Sequence, residues 1–208
     1  MSLKKSLLSV VAGLAFATSA HAQVNTVPVT GLNLGNLRQQ TFSAVSIGLV
    51  PAASATDIWC IAASSAKTVS ISQITVSGVA TTAVTTPVVI LRRNTAVDSG
   101  GTAATGIALP VAAANQLGQT SSAVLSAYTA NPTINDASPS YLRAGVIGIP
   151  TSAAAIAQVL TYSFGTGVEE YDQQAVLVKG STQQLCVNLN AVSITAGSLA
   201  ISAEWVEY

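Results

Sequence analysis

The chain has 208 residues, half of them hydrophobic and only 8% charged, with eight Lys and Arg against eight Asp and Glu. That length carries one ordinary domain with a real core. Charge this sparse leaves no clustered basic footprint for nucleic acid, and Arg92-Arg93 alone is too small a patch. It also leaves little repulsion to keep copies apart, which suits a protein that packs against itself. A plain secreted domain with a Ser/Thr-covered surface is the alternative.

Residues 1–22 read as a signal peptide. Lys4 and Lys5 form the basic region, Leu7 to Ala17 the apolar stretch, and Ala20-His21-Ala22 the cleavage site. The mature chain then starts at Gln23 and is exported, to the cell surface, the medium or the periplasm. Cleavage removes His21, the one histidine, and Met1, the one methionine. No later stretch reaches the roughly 18–20 apolar residues of a spanning helix. No integral membrane segment is therefore expected after cleavage.

Residues 23–40 read as an extended arm. Val27 and Val29 alternate around Pro28, and Leu32 and Leu34 follow across Gly31. Proline excludes a central strand position, so this is an edge strand or a free arm, which adds a strand to a neighbour's sheet or, as is commoner, folds onto its own domain. From residue 44 strands come at short intervals: AVSIGLV (44–50), DIWCIA (57–62) and TVSISQITVSG (68–78). In the last, Val69 and Ile71 share one parity and Ile74 and Val76 the other, which predicts a β-bulge at Ser72-Gln73. PVVILRR (87–93) is the most apolar run and reads as a central strand with Pro87 at its start. Residues 94–106 read as a loop. Residues 107–128 are undecided between helix, strand and loop, and 127–140 are dense in turn residues. YLRAGVIGIP (141–150), the end of 153–163, AVLVKG (175–180), QLCVNLN (184–190) and GSLAISAEWVEY (197–208) complete the strands. The last alternates Leu199, Ile201, Ala203 and Trp205 on one face. This spacing predicts an all-β fold, a single β-sandwich or jelly-roll-like domain of about 8–10 antiparallel strands over 41–208.

Chemistry-bearing residues are few. Without a histidine the mature chain has no Ser-His-Asp or Cys-His machinery and no His-bound metal. Neither a catalytic residue, a metal ligand set nor a cofactor is assigned. Cys60 and Cys186 are an even pair in an oxidising compartment, which predicts a disulfide worth roughly 4 kcal/mol on the chain-entropy model. The acidic cluster Glu169, Glu170 and Asp172 reads as a solvated segment, with a cation site as its functional alternative. Trp59 and Trp205 read as core. Arg92 and Arg93 point to opposite faces, where one pairs with a carboxylate or caps the sheet end.

The stretches TDIWCIAASSAKTVSISQITVSGVAT (56–81), AYTANPT (127–133) and QQLCVNLNAVSITAGSLAISAEWVE (183–207) resemble small β-rich structural proteins of bacteriophages and prophages. The resemblance implies a non-enzymatic building block or surface decoration and brings no functional residues with it. The signal peptide departs from most virion proteins and favours an exported role. The chain is also similar to chaperone–usher pilins in size, signal peptide, disulfide and alternating arm. It departs from them in cysteine placement, since pilin cysteines lie close together. The expected function is an exported structural protein that self-assembles or decorates a surface, as a filament, pilus-like or virion-like subunit. A secreted adhesin or lectin-like module with a cell-surface or glycan ligand is the alternative, and it predicts an aromatic and polar pocket in the 94–140 loops.

Overall fold

Alternating Val, Ile, Thr and Ser residues build eleven strands in the computed structural model, which describes residues 41–103, 120–152, 156–165, 175–194 and 196–208. They are β1 (Thr41–Leu49), β2 (Ala55–Ala62), β3 (Val69–Val79), β4 (Val84–Arg93), β5 (Thr102–Ala103), β6 (Val124–Ala130), β7 (Ser140–Ile149), β8 (Val159–Ser163), β9 (Val176–Val178), β10 (Gln184–Val192) and β11 (Ser198–Glu207). Sheet A has the order β1-β11-β3-β8, with β9 also pairing β3, and sheet B has the order β5-β6-β2-β10-β4-β7. All named pairs are antiparallel. Each of the first three connections carries the chain from one sheet to the other. The fold is a two-sheet β-sandwich, as the alternation predicts. No helix among the described residues is long and apolar enough to cross a membrane.

The core lies between the sheets. Sheet A contributes Phe42, Ile71, Ile74, Val76, Leu199, Ile201 and Trp205; sheet B contributes Trp59, Ile61, Ile90, Ile147, Leu185 and Val187. Both tryptophans are fully buried, and the Trp205 ring stacks on Phe42 at 6.1 Å. Each large apolar side chain taken from water contributes about 1.5–3 kcal/mol. Tyr162 of β8 crosses to sheet B, where its hydroxyl donates to the Val88 carbonyl at 2.7 Å. Gly145 of β7 lies under that hydroxyl: a Cβ there would sit 2.9 Å from it, so the crossing needs glycine.

The phase slip in β3 is a bulge. Glu204 pairs with Gln73 and Trp205 with Ile71, so Ser72 is the extra residue. Its hydroxyl donates to the Glu204 carbonyl at 3.1 Å and its carbonyl accepts from Phe164 N at 2.7 Å. Both apolar pairs of β3 thereby face one core. A second bulge, not anticipated, lies in β2. Val187 pairs with Trp59 but Asn188 with Asp57, leaving Ile58 extra. Ile58 and Trp59 both enter the core, and Asp57 turns to the outer face with Asn188.

Three expectations need correction. β4 starts at Val84, not at Pro87. Pro87 is tolerated inside it because β10 pairs β4 only from Val89 onward, so no ladder partner on that side needs the missing N–H. The 94–106 loop contains the short β5; in the undecided middle the strand alternative holds, as β6. The described residues hold eleven strands rather than about 8–10 because short β5 and β9 carry no alternation long enough to read. The signal peptide, the arm with Val27, Val29, Leu32 and Leu34, the Glu169, Glu170 and Asp172 cluster, and residues 104–119 lie outside the described residues.

Candidate functional site

The outer face of sheet B carries most of the chain's buried polar chemistry. Along β10, Leu185, Val187 and Leu189 face the core, so Gln184, Cys186 and Asn188 face outward. Beside them β2 presents Cys60 and, past its bulge, Asp57; β4 presents Val89, Leu91 and Arg93. Cys60 and Cys186 are direct cross-strand partners with Cα atoms 4.1 Å apart, and they form the predicted disulfide. With Leu91, Tyr128 and Val89 they make a second, small apolar cluster outside the main core.

Next to the disulfide lies a buried ion-pair network. Arg93 Nη2 and Nε donate to Asp57 Oδ2 at 2.8 and 3.0 Å, and Nη1 donates to the Asp136 carbonyl at 2.9 Å. Asn188 Nδ2 donates to Asp57 Oδ1. The segment after β4 brings in Asp98, whose Oδ1 is 3.9 Å from Arg93 Nε and whose Oδ2 is 3.9 Å from Cys60 Sγ. A disulfide sulfur has no proton to donate, so the latter is packing. Asp98 Oδ1 and Gln184 Nε2 are buried without hydrogen-bond partners. Burial, then the neighbouring Asp57 carboxylate, push Asp98 up to about 7 against the pull of Arg93. Asp136 is the opposite case. Its carboxylate accepts from the main-chain N–H groups of Asn94, Ser138 and Thr95, which hold it below the usual carboxylate range.

Asp57, Cys60, Asp98 and Cys186 bring ligating-type atoms within 4.8 Å of one another. In the disulfide form the sulfurs offer no thiolate, and Arg93 already supplies the cation between the two carboxylates. The arrangement is thus an ion-pair latch that fastens the segments around Asp98 and Asp136 onto the sheet.

Beside the latch is a pocket of about 230 Å³, floored by Arg93, Asn188 and Thr56 and walled by Ile134, Pro139 and Tyr141. Tyr141 is 73% exposed. Asn190 and Ala191, also at the pocket, both have left-handed φ, of 53° and 60°, where β10 breaks register before Val192. Arg92 points the other way and caps the sandwich end, donating from Nε to Asn94 Oδ1 and from Nη1 to the Leu177 carbonyl. Arg93 thus pairs with a carboxylate and Arg92 caps the sheet end.

At the end of sheet A, Glu207 clamps the lead into β6. Its carboxylate accepts from the hydroxyls of Ser121 and Ser122, from the N–H groups of Ser122 and Ala123, and from Trp205 Nε1. Burial opposes its charge, but these hydrogen bonds together hold it below its ordinary value.

The outer face of sheet A is of another kind. Its ladder rows run Ile47–Ala200–Ser77–Val159 and Val45–Ser202–Thr75–Thr161. Ile47 is 68% exposed, Val159 62% and Val45 40%. Glu204 is the single charged side chain on these outward positions of β1, β11, β3 and β8 among the described residues.

Sequence reasoning found the disulfide and both tryptophans but missed the grouping of Asp57, Arg93, Asp98, Asp136, Asn188 and Tyr141. A signal existed: Asp57 and Arg93 are two of very few charges and both stand in apolar strands, where a buried charge needs a partner. Comparison with known proteins finds no match to a family model, a curated sequence or a solved structure.

Proposed function

We propose that this chain is an exported, non-enzymatic structural subunit that associates with copies of itself or decorates a surface, as a filament, pilus-like or virion-like building block. The observation that carries this reading is the outer face of sheet A, which carries one charge, Glu204, beside the edge strand β1. Natural edges are commonly blunted by lysine, proline or inward charge. β1 has none of these, and no described strand pairs its free side. The exposed Val45 and Ile47 stand on that strand, so a second copy gains both apolar burial and ladder hydrogen bonds there. The arm, residues 23–40, runs directly into β1 and is the segment suited to strand donation.

The test is negative-stain microscopy and light scattering of the exported chain, with and without residues 23–38. Filaments or particles that vanish on the deletion support assembly by strand donation. Filaments that persist move the joint to the sheet A face. Dispersed monomer under all conditions rejects the structural role.

A further inference from the structure

Independently of whether the chain assembles, we infer that the pocket between β4, β7 and the end of β10 is a binding subsite for one neutral saccharide ring. Three observations carry it. First, the floor is polar and offers an anion no unmatched cation. Arg93 is neutralised by Asp57, and the Asp136 carboxylate is engaged by main-chain N–H groups. An anionic ligand finds no free countercharge, whereas a hydroxylated one meets the polar side chains of Arg93, Asp136, Asn188 and Asn190 along the lining. Thr56, whose Oγ1 is buried without a hydrogen-bond partner, is among the lining residues. Second, the wall is an exposed aromatic ring, Tyr141, flanked by Ile134 and Pro139. A flat apolar wall over a polar floor matches a pyranose, which has an apolar C–H face and a rim of hydroxyls. Third, the volume of about 230 Å³ is below the roughly 300–1,000 Å³ of drug-sized sites and leaves room for a single ring.

The floor is also rigid. Asn188 and Arg93 are fixed by Asp57, which is itself fully buried, and the wall segment is held to Arg93 through the Asp136 carbonyl. A preformed site loses little ordering entropy on binding.

Saturation-transfer NMR of the exported chain with methyl glycosides of glucose, galactose, mannose and N-acetylglucosamine tests the inference. A microarray of neutral and anionic glycans read with the same protein extends it. The expected result is transfer to at least one neutral glycoside, weakened about tenfold in Tyr141→Ala. Tyr208→Ala, which removes another exposed ring away from the pocket, should leave binding unchanged. No transfer to any neutral sugar overturns the inference. So does binding confined to anionic glycans, or binding that Tyr141→Ala leaves intact.

Discussion

Asp98 is a carboxyl placed where its charge is opposed. It is buried beside Asp57, and the single guanidinium nearby is already held by Asp57 at 2.8 Å. Folding therefore raises its pKa from the ordinary 3.8 to about 7, with burial the largest cause. The sign follows from proton binding. Between about pH 4 and 7 the folded chain holds a proton that the unfolded chain has lost, so this group's contribution to stability declines as pH rises through that window and is flat above it. Asp136 and Glu207 work in the opposite sense: their depressed values stabilise the fold above the ordinary carboxylate range and are lost on acidification. Asp98→Asn keeps the shape and removes the titration. Unfolding free energies from denaturant melts across pH 4–8 should decline for the native chain by an amount on the order of a few kcal/mol and stay nearly level for the variant. Parallel curves for the two proteins would show that Asp98 is not the group responsible.

At the scale of elements, the disulfide joins strands that already pair, so its effect falls mainly on the unfolded chain. Cys60 and Cys186 are 126 residues apart, a loop whose closure corresponds to about 4–5 kcal/mol on the chain-entropy model. Replacing both with alanine should lower unfolding stability by about that much, and reductant should then have no further effect. A loss under about 1 kcal/mol would mean that the unfolded chain keeps these strands together by other contacts. The same elements show what a sequence reveals and what it hides. The β3 bulge was legible because two apolar pairs of opposite parity must reach one core, and only an extra residue at Ser72 allows it. The β2 bulge was not, because Ile58, Trp59, Cys60 and Ile61 form an unbroken apolar run with no parity to break. The latch and pocket were hidden for a related reason. Asp57, Arg93, Asp98, Asp136 and Tyr141 come from four chain segments, and their meeting depends on sheet order, which alternation does not encode. The disulfide needed no sheet order, because two cysteines in one chain have one possible intramolecular pairing.

At the scale of the whole molecule, the sandwich has two unlike outer faces. Sheet B is covered by a network of buried charge beside a polar pocket, while sheet A presents Val45, Ile47 and Val159 among serines and threonines. Association through such a charge-poor face rests on apolar burial and strand pairing, and neither is screened by salt. This sets it apart from joints made of ion pairs. Raising sodium chloride from low ionic strength to about 1 M should therefore leave the mass of any assembly unchanged or increased, and sulfate should increase it further. A lysine at the edge of the face should act the other way. Ile47→Lys sets a charge on an edge strand that would have to be desolvated in the joint, the same device by which natural edges are kept from pairing. Ile47 is two-thirds exposed, so the substitution should cost the folded monomer within about 0.5 kcal/mol. Sedimentation velocity would separate the cases. Assemblies that hold in salt and collapse to monomer in Ile47→Lys, with the melting temperature preserved, place the joint on sheet A. Assemblies that dissociate in salt and ignore the lysine would move it to the charged segments elsewhere in the chain.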